Sequence, residues 1–226
     1  MKSATLILSL LASGSALGAS SVVFDNFDTF SDPVGFNLST FSTPVTDGPD
    51  LLPSSDETVL GDVNRQITLS RTAGTSAVAN VFGNLDFSNS AAALGTVSIA
   101  YTLSAPTDLM VGNAFSFVVV STELSAQINY SITVSDGVNT STAASNLPII
   151  LGVFNVPFGT FVGTADFNSI TAISLELTTA LAGSDAVIDA FGLNLPPPPN
   201  VPEPSTYAAV GFMSLVAFGA YRRNRK

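Results

Sequence analysis

The body of this chain is predicted to be all-β, with two antiparallel sheets packed as a sandwich of the jelly-roll kind, and a single membrane-spanning helix follows at the C-terminal end. Three observations carry that expectation. Short runs of Val, Ile, Thr, Ser and Phe alternate apolar with polar residues at a period of two, the spacing of strands with one wet face. Gly, Pro, Asn and Asp punctuate these runs closely, and no stretch of the body sustains a helical period. The run 207–221, by contrast, is apolar apart from Ser214 and two Tyr hydroxyls.

That run and its neighbours set the organisation of the chain. Residues 206–221 would reach about 24 Å as a helix, against roughly 30 Å of bilayer hydrocarbon, with Tyr207 and Tyr221 suited to the two interfaces. Arg222, Arg223, Arg225 and Lys226 follow, and such a basic end stays cytoplasmic while everything before Thr206 lies across the membrane. Immediately upstream stand Val201, Pro202, Glu203, Pro204 and Ser205, preceded by four prolines, 196–199, that form a stiff extended spacer. At the other end, Met1-Lys2, the apolar stretch 6–12 and the small residues Ala16 and Gly18 read as a signal peptide over residues 1–19. The division is then signal peptide 1–19, β-sandwich 20–195, Pro-rich linker 196–200 and tail 201–226.

Composition narrows the function of the body. The chain has 17 Asp and Glu against 7 Lys and Arg, and Arg65 and Arg71 are the only basic residues outside the two ends. A body so acidic does not suit the phosphates of nucleic acid or an anionic bilayer, and it favours solubility outside the cell. The absence of Cys means that a core, not disulfides, holds it together, and with no His either, thiol nucleophiles, His-based triads and nitrogen or sulfur metal sites are excluded.

Element by element, strands are expected over 21–24 and 36–41, with a loop over 43–56 where Pro44, Gly48, Pro49 and Pro53 fall. The stretch 65–71 puts Ile67 and Leu69 on one face and Gln66, Thr68 and Ser70 on the other, and 76–82 is expected to pair with it across a turn containing Gly74. Strands 85–88 and 95–103 follow, the second with Val97, Ile99 and Tyr101 opposed to Ser98, Ala100 and Thr102. The apolar stretch 115–120 is expected to be central. Ile128, Tyr130, Ile132 and Val134 share a face, and Asp136-Gly137 is expected to form a type I′ hairpin turn to a partner at 138–143. Strands 149–154, 158–162, 170–178 and 186–193 complete about a dozen, with the core face of the last two left open between alternating sets.

The Pro-Glu-Pro triplet at 202–204, the short apolar span and the basic end together resemble the PEP-CTERM sorting signal of Gram-negative bacteria. The resemblance implies that Val201, Pro202, Glu203 and Pro204 are read by an exosortase, that Arg222, Arg223, Arg225 and Lys226 set the topology, and that the protein reaches the cell surface or an exopolysaccharide and biofilm matrix through the general export machinery. The bare residues leave a permanent tail anchor as the other reading. Stretches 24–28 and 187–191 resemble the first and last strands of carbohydrate-binding or galactose-binding-like jelly rolls, which implies a polysaccharide partner as the alternative role of the body. Sugar platforms usually offer exposed Trp or Tyr, and this chain has no Trp.

Chemistry leaves few other candidates, and no enzyme and no cofactor are expected. Glu57, Glu123 and Glu176 are the body's only glutamates, and a glycoside hydrolase would need two carboxylates paired across a sugar. Asp25, Asp28 and Asp32 with Asp185 and Asp189 would supply oxygens for a structural Ca2+ if the terminal strands met, although Asp at such places is more often a turn or cap residue.

Overall fold

The computed structural model describes residues 21–25, 27, 36–40, 44–52, 62–81, 83–122, 127–148 and 151–195. All of them fall in one compact unit, Gly18–Pro196. The expected signal peptide, the linker and the sorting tail lie outside the described residues, and so does the expected span at 206–221. Among the described residues no helix is long and apolar enough to cross a membrane.

Among the described residues fourteen strands form two seven-stranded antiparallel sheets. The first sheet contains β1 (Ser21–Asp25), β2 (Phe36–Thr40), β5 (Ala77–Val81), β6 (Leu85–Asn89), β8 (Ala114–Thr122), β11 (Gly152–Pro157) and β14 (Ala186–Asn194). Its order is β11-β8-β14-β6-β5-β2, with β1 also on β14. The second sheet contains β3 (Val45–Leu52), β4 (Val63–Ala73), β7 (Leu94–Thr107), β9 (Ile128–Ser135), β10 (Thr140–Asn146), β12 (Val162–Gly163) and β13 (Ile170–Thr179). Its order is β12-β10-β9-β13-β7-β4-β3.

The core lies between the sheets and follows the period of two. Val97, Ile99 and Tyr101 on β7 and Ile128, Tyr130, Ile132 and Val134 on β9 are buried, as the alternation predicts, and the open face of β13 resolves to Ile173, Leu175 and Leu177. On the first sheet Phe115 and Phe117 of β8 stack on Phe191 of β14 at 5.5 and 4.9 Å. Each such ring, taken out of water, contributes roughly 1.5–3 kcal/mol. The open register of the last strand has a specific answer, because irregularities on either side of Ile188 shift β14 against β8. Ile188 and Ala190 therefore face inward, and so do Phe191 and Leu193.

Four local expectations are corrected. The stretch 43–56 is not a loop throughout, since β3 pairs with β4 across a register shift between Asp47 and Asp50 that takes in Gly48 and Pro49. Proline is tolerated there because β3 is the edge of its sheet. Residues 76–82 do not pair with 65–71; β5 pairs with β2 and β6 in the opposite sheet. The turn between them has Gly74 at φ 84°, with its carbonyl accepting from the Arg71 guanidinium. Residues 158–162 are not one strand, because Phe158–Thr160 form a 3-10 turn closed by Phe161 N–H on the Phe158 carbonyl before the short β12. Finally, the β9–β10 hairpin is in place, but Ser135 pairs with Thr140 and four residues make the loop. Gly137 alone there has positive φ, 90°, so the turn is not type I′.

That loop is tied by its acid. Asp136 accepts from the N–H groups of Val138 (2.8 Å), Asn139 (2.6 Å) and Asp166 (2.9 Å), bonds that hold its carboxyl well below the usual carboxylate range. Asp166 is lowered too, chiefly by the Asn168 side chain and then by its backbone N–H. A carboxyl whose folded pKa is depressed contributes stability above its unfolded value, here 3.8, and loses it as pH falls toward the folded value. Amide protection at Val138, Asn139 and Asp166 is therefore expected to hold at pH 5 and to fall below about pH 4. Unchanged protection factors at pH 3 would show that Asp136 does not tie the loop.

Candidate functional site

The outer face of the second sheet is a regular surface built by strand register. The side chains that alternate away from the core come into rows across the strands. One row runs Thr142, Thr133, Ser174, Ala100, Gln66, from β10 to β4. The next runs Ala144, Ser131, Glu176, Ser98, Thr68, Thr46, from β10 to β3. Beyond it lie Asn146, Asn129, Thr178, Thr96 and Ser70. Neighbouring strands stand about 4.8 Å apart and successive rows about 6.7 Å apart, so hydroxyls and amides recur over the face with little apolar surface between them.

Three cross-strand threonine pairs fix part of this array: Thr46 with Thr68 at 3.0 Å, Thr96 with Thr178 at 3.0 Å, and Thr133 with Thr142 at 2.9 Å. In each pair one hydroxyl donates to the other, which leaves the second hydroxyl's proton and spare lone pairs for an outside partner. Glu176 is the one charged residue in these three rows. It is exposed, with Ser131 and Ser98 directly opposite on the flanking strands and Ser174 and Thr178 two positions away on its own. No second carboxylate flanks it, so the pairing needed by a glycosidase is not built around Glu176.

Between the sheets, a buried knot ties the N-terminal strand, which pairs into the first sheet, to the second sheet. Asp25 is 3% exposed and Arg65 1%. Arg65 Nη1 donates to Asp25 Oδ1 at 2.9 Å and to Oδ2 at 3.1 Å, Tyr101 Oη donates to Oδ2 at 2.8 Å, and Phe27 N–H donates to Oδ1 at 2.9 Å. Burial raises the Asp25 carboxyl above its ordinary range, against the opposing pull of Arg65 and the three sets of donors. Burial beside that carboxylate also pushes the Tyr101 phenol well up, so it stays a donor. Phe27, fully buried, sits at φ 57°, a conformation costly for a bulky residue and sustained here by its bonds to Asp25 and to Gly83 N–H. Arg65 lies in phase with Ile67 and Leu69, so its inward direction was readable from alternation; its partner forty residues away was not.

The residues singled out from sequence fall in different places. The terminal strands do meet, Val22 pairing with Leu193 and Asp25 with Phe191. Asp25 faces Arg65, Asp185 accepts from Asn89 N–H at 2.6 Å, and Asp189 is exposed. Asp28, Asp32, Glu57 and Glu123 lie outside the described residues, as do Val201, Pro202, Glu203, Pro204, Arg222, Arg223, Arg225 and Lys226. Among the described residues no group of three or more carboxylates stands close enough to hold a metal ion. The described tyrosines, Tyr101 and Tyr130, are both buried.

No protein-family model matches the chain, and no curated protein sequence matches it. Among solved structures, the family 11 carbohydrate-binding module of the cellulosomal cellulase Lic26A-Cel5E of Clostridium thermocellum is 13% identical, over 79% of this chain and 96% of that one, with a TM-score of 0.40. The solution structure of CtCBM11 is 16% identical over 80% and 98% of the two chains, with a TM-score of 0.43. An exo-β-agarase is 12% identical over 72% of this chain and 26% of its own, with a TM-score of 0.38. The two-sheet architecture stands on the strand pairing itself.

Proposed function

We propose that this chain is an exported, non-catalytic β-sandwich that contacts extracellular polysaccharide through the outer face of its second sheet. The observation that supports this reading is the array of Ser, Thr, Asn and Gln carried in register across β10, β9, β13, β7 and β4. A hydrated polymer presents many hydroxyls, and each exchange of water for a protein hydroxyl returns only about 0.5–1.5 kcal/mol. Many such contacts along one polymer add up through effective concentration. Export is read from residues 1–19, and sorting from Val201 to Pro204, the apolar run and the basic end.

The test is retention of the full-length chain on polysaccharide in native affinity gels, with a variant carrying Thr68→Glu and Thr133→Glu on the same face. Both positions point away from the core, so the fold is expected to survive with a thermal midpoint within a few degrees. Retention is expected to be lost. If the variant is retained as well as the parent, the contact surface lies elsewhere. For sorting, the intact mass of protein recovered from the surface and medium of producing cells is expected to end near residues 201–206, and deletion of Arg222 to Lys226 is expected to leave unprocessed protein in the membrane. A recovered mass reaching Lys226 would mean a permanent anchor.

A further inference from the structure

The charge inventory of the polar face bears on what kind of polymer it takes. Glu176 stands near the middle of the face, flanked by hydroxyls on all four sides and by no cation. Its one donor among the described residues, Thr178 Oγ1, is at 3.4 Å from Oε1, a long contact that leaves the exposed carboxylate with lone pairs free to accept from outside. No Lys or Arg stands in the three rows, and the two basic residues of the body are committed elsewhere, Arg65 to Asp25 in the core and Arg71 to the Gly74 carbonyl. The surface therefore offers one strong acceptor within a field of neutral donors and acceptors. With both described tyrosines buried, it offers no aromatic ring on which a sugar could stack.

From this we infer that the face selects uncharged glycans bearing free neighbouring hydroxyls, with Glu176 as the specificity-determining anchor; the inference rests on the polysaccharide-contacting reading above. Two adjacent sugar hydroxyls can donate together to the two oxygens of one carboxylate, and such charge-assisted bonds are roughly twice as strong as neutral ones. The Ser131 and Ser98 hydroxyls on the flanking strands are placed to receive or donate the remaining bonds of the same residue. A uronate or sulfate ester would instead bring like charge against Glu176 on a body that is already strongly acidic, and no guanidinium or ammonium on the face would compensate it.

The experiment compares the full-length chain with Glu176→Gln and Glu176→Lys variants by affinity electrophoresis in gels containing a neutral β-glucan, a neutral galactan or polygalacturonate, at low and at physiological salt. The parent is expected to be retarded by a neutral polymer and not by polygalacturonate. Glu176→Gln is expected to weaken neutral retention by about 3- to 10-fold, the loss of the charge assistance. Glu176→Lys is expected to lose neutral retention and to acquire retention on polygalacturonate that fades as salt rises. Since Glu176 is exposed, the thermal midpoints of all three are expected to agree, which separates a role in recognition from a role in folding. Retention of the parent on polygalacturonate equal to that on neutral polymers, or neutral retention indifferent to Glu176→Gln, would overturn the selection and leave the contact reading intact. No retention on any of the three polymers would overturn both.

Discussion

Replacing Asp25 by Asn is expected to cost the sandwich about 3–5 kcal/mol, the usual consequence of removing one partner from a buried ion pair. Asn keeps the shape of the side chain, and its one amide oxygen could still accept from Phe27 N–H or from Tyr101 Oη, which bond different carboxylate oxygens. What it cannot do is neutralise Arg65, whose guanidinium is 1% exposed and whose route to water is closed by both sheets. In a body of this size each kcal/mol corresponds to roughly 2–4 °C, so the thermal midpoint should fall by roughly 6–20 °C. Adding Arg65→Met to Asp25→Asn should restore much of the loss, because the double variant buries no unmatched charge and Met fills an apolar space well. Urea unfolding of the single and double variants measures this directly. A loss below about 1 kcal/mol in the single variant would place the pair with exposed ion pairs, where the charges are satisfied by water.

This knot also shows where sequence reading runs out. Alternation is a property of a single strand, so the inward faces of β7 and β9 were legible residue by residue from Val97 to Val134, whatever their neighbours, while on β13 it left two alternating sets open. The same alternation put Gln66, Thr68, Ser98 and Thr102 on wet faces. It did not say that β4 and β7 lie side by side, or that β13 and β9 continue the surface, because strand order is settled by contacts far apart in the chain. Glu176 was therefore visible as a rare glutamate but not as the one charge within a hydroxyl field. Local breakers misled in two places. Gly48 and Pro49 read as a loop, yet an edge strand with an irregular register accommodates them. Gly74 read as a hairpin turn between paired neighbours, and it instead carries the chain from one sheet to the other. Alternation pointed Arg65 inward, but the partner that makes burial of its charge tolerable, Asp25, lies forty residues away on another strand.

Gly192→Ala is expected to be the most damaging single methyl group that could be added along β14. A Cβ at this position would overlap the Val22 carbonyl and press against the Val23 Cα, both backbone atoms of β1, so no side-chain rotation can relieve it. Strand β14 is held on its far side by β8 along its length and, on the edge it shares with β1, by β6 at Ala186 to Ile188, whereas among the described residues β1 pairs with β14 alone. The strand that yields is therefore β1. Overpacking of this kind usually costs about 1–3 kcal/mol, and displacing β1 also moves Asp25 away from Arg65 and Tyr101, which brings the expected loss to the upper end of that range or beyond. The two variants should consequently fail to add. If Gly192→Ala acts by moving β1, then Asp25→Asn on top of it removes a contact already broken, and the double variant should be scarcely less stable than the worse single one. Fully additive losses in the urea midpoints would instead mean that β1 stays in place and that the added methyl is absorbed by β14.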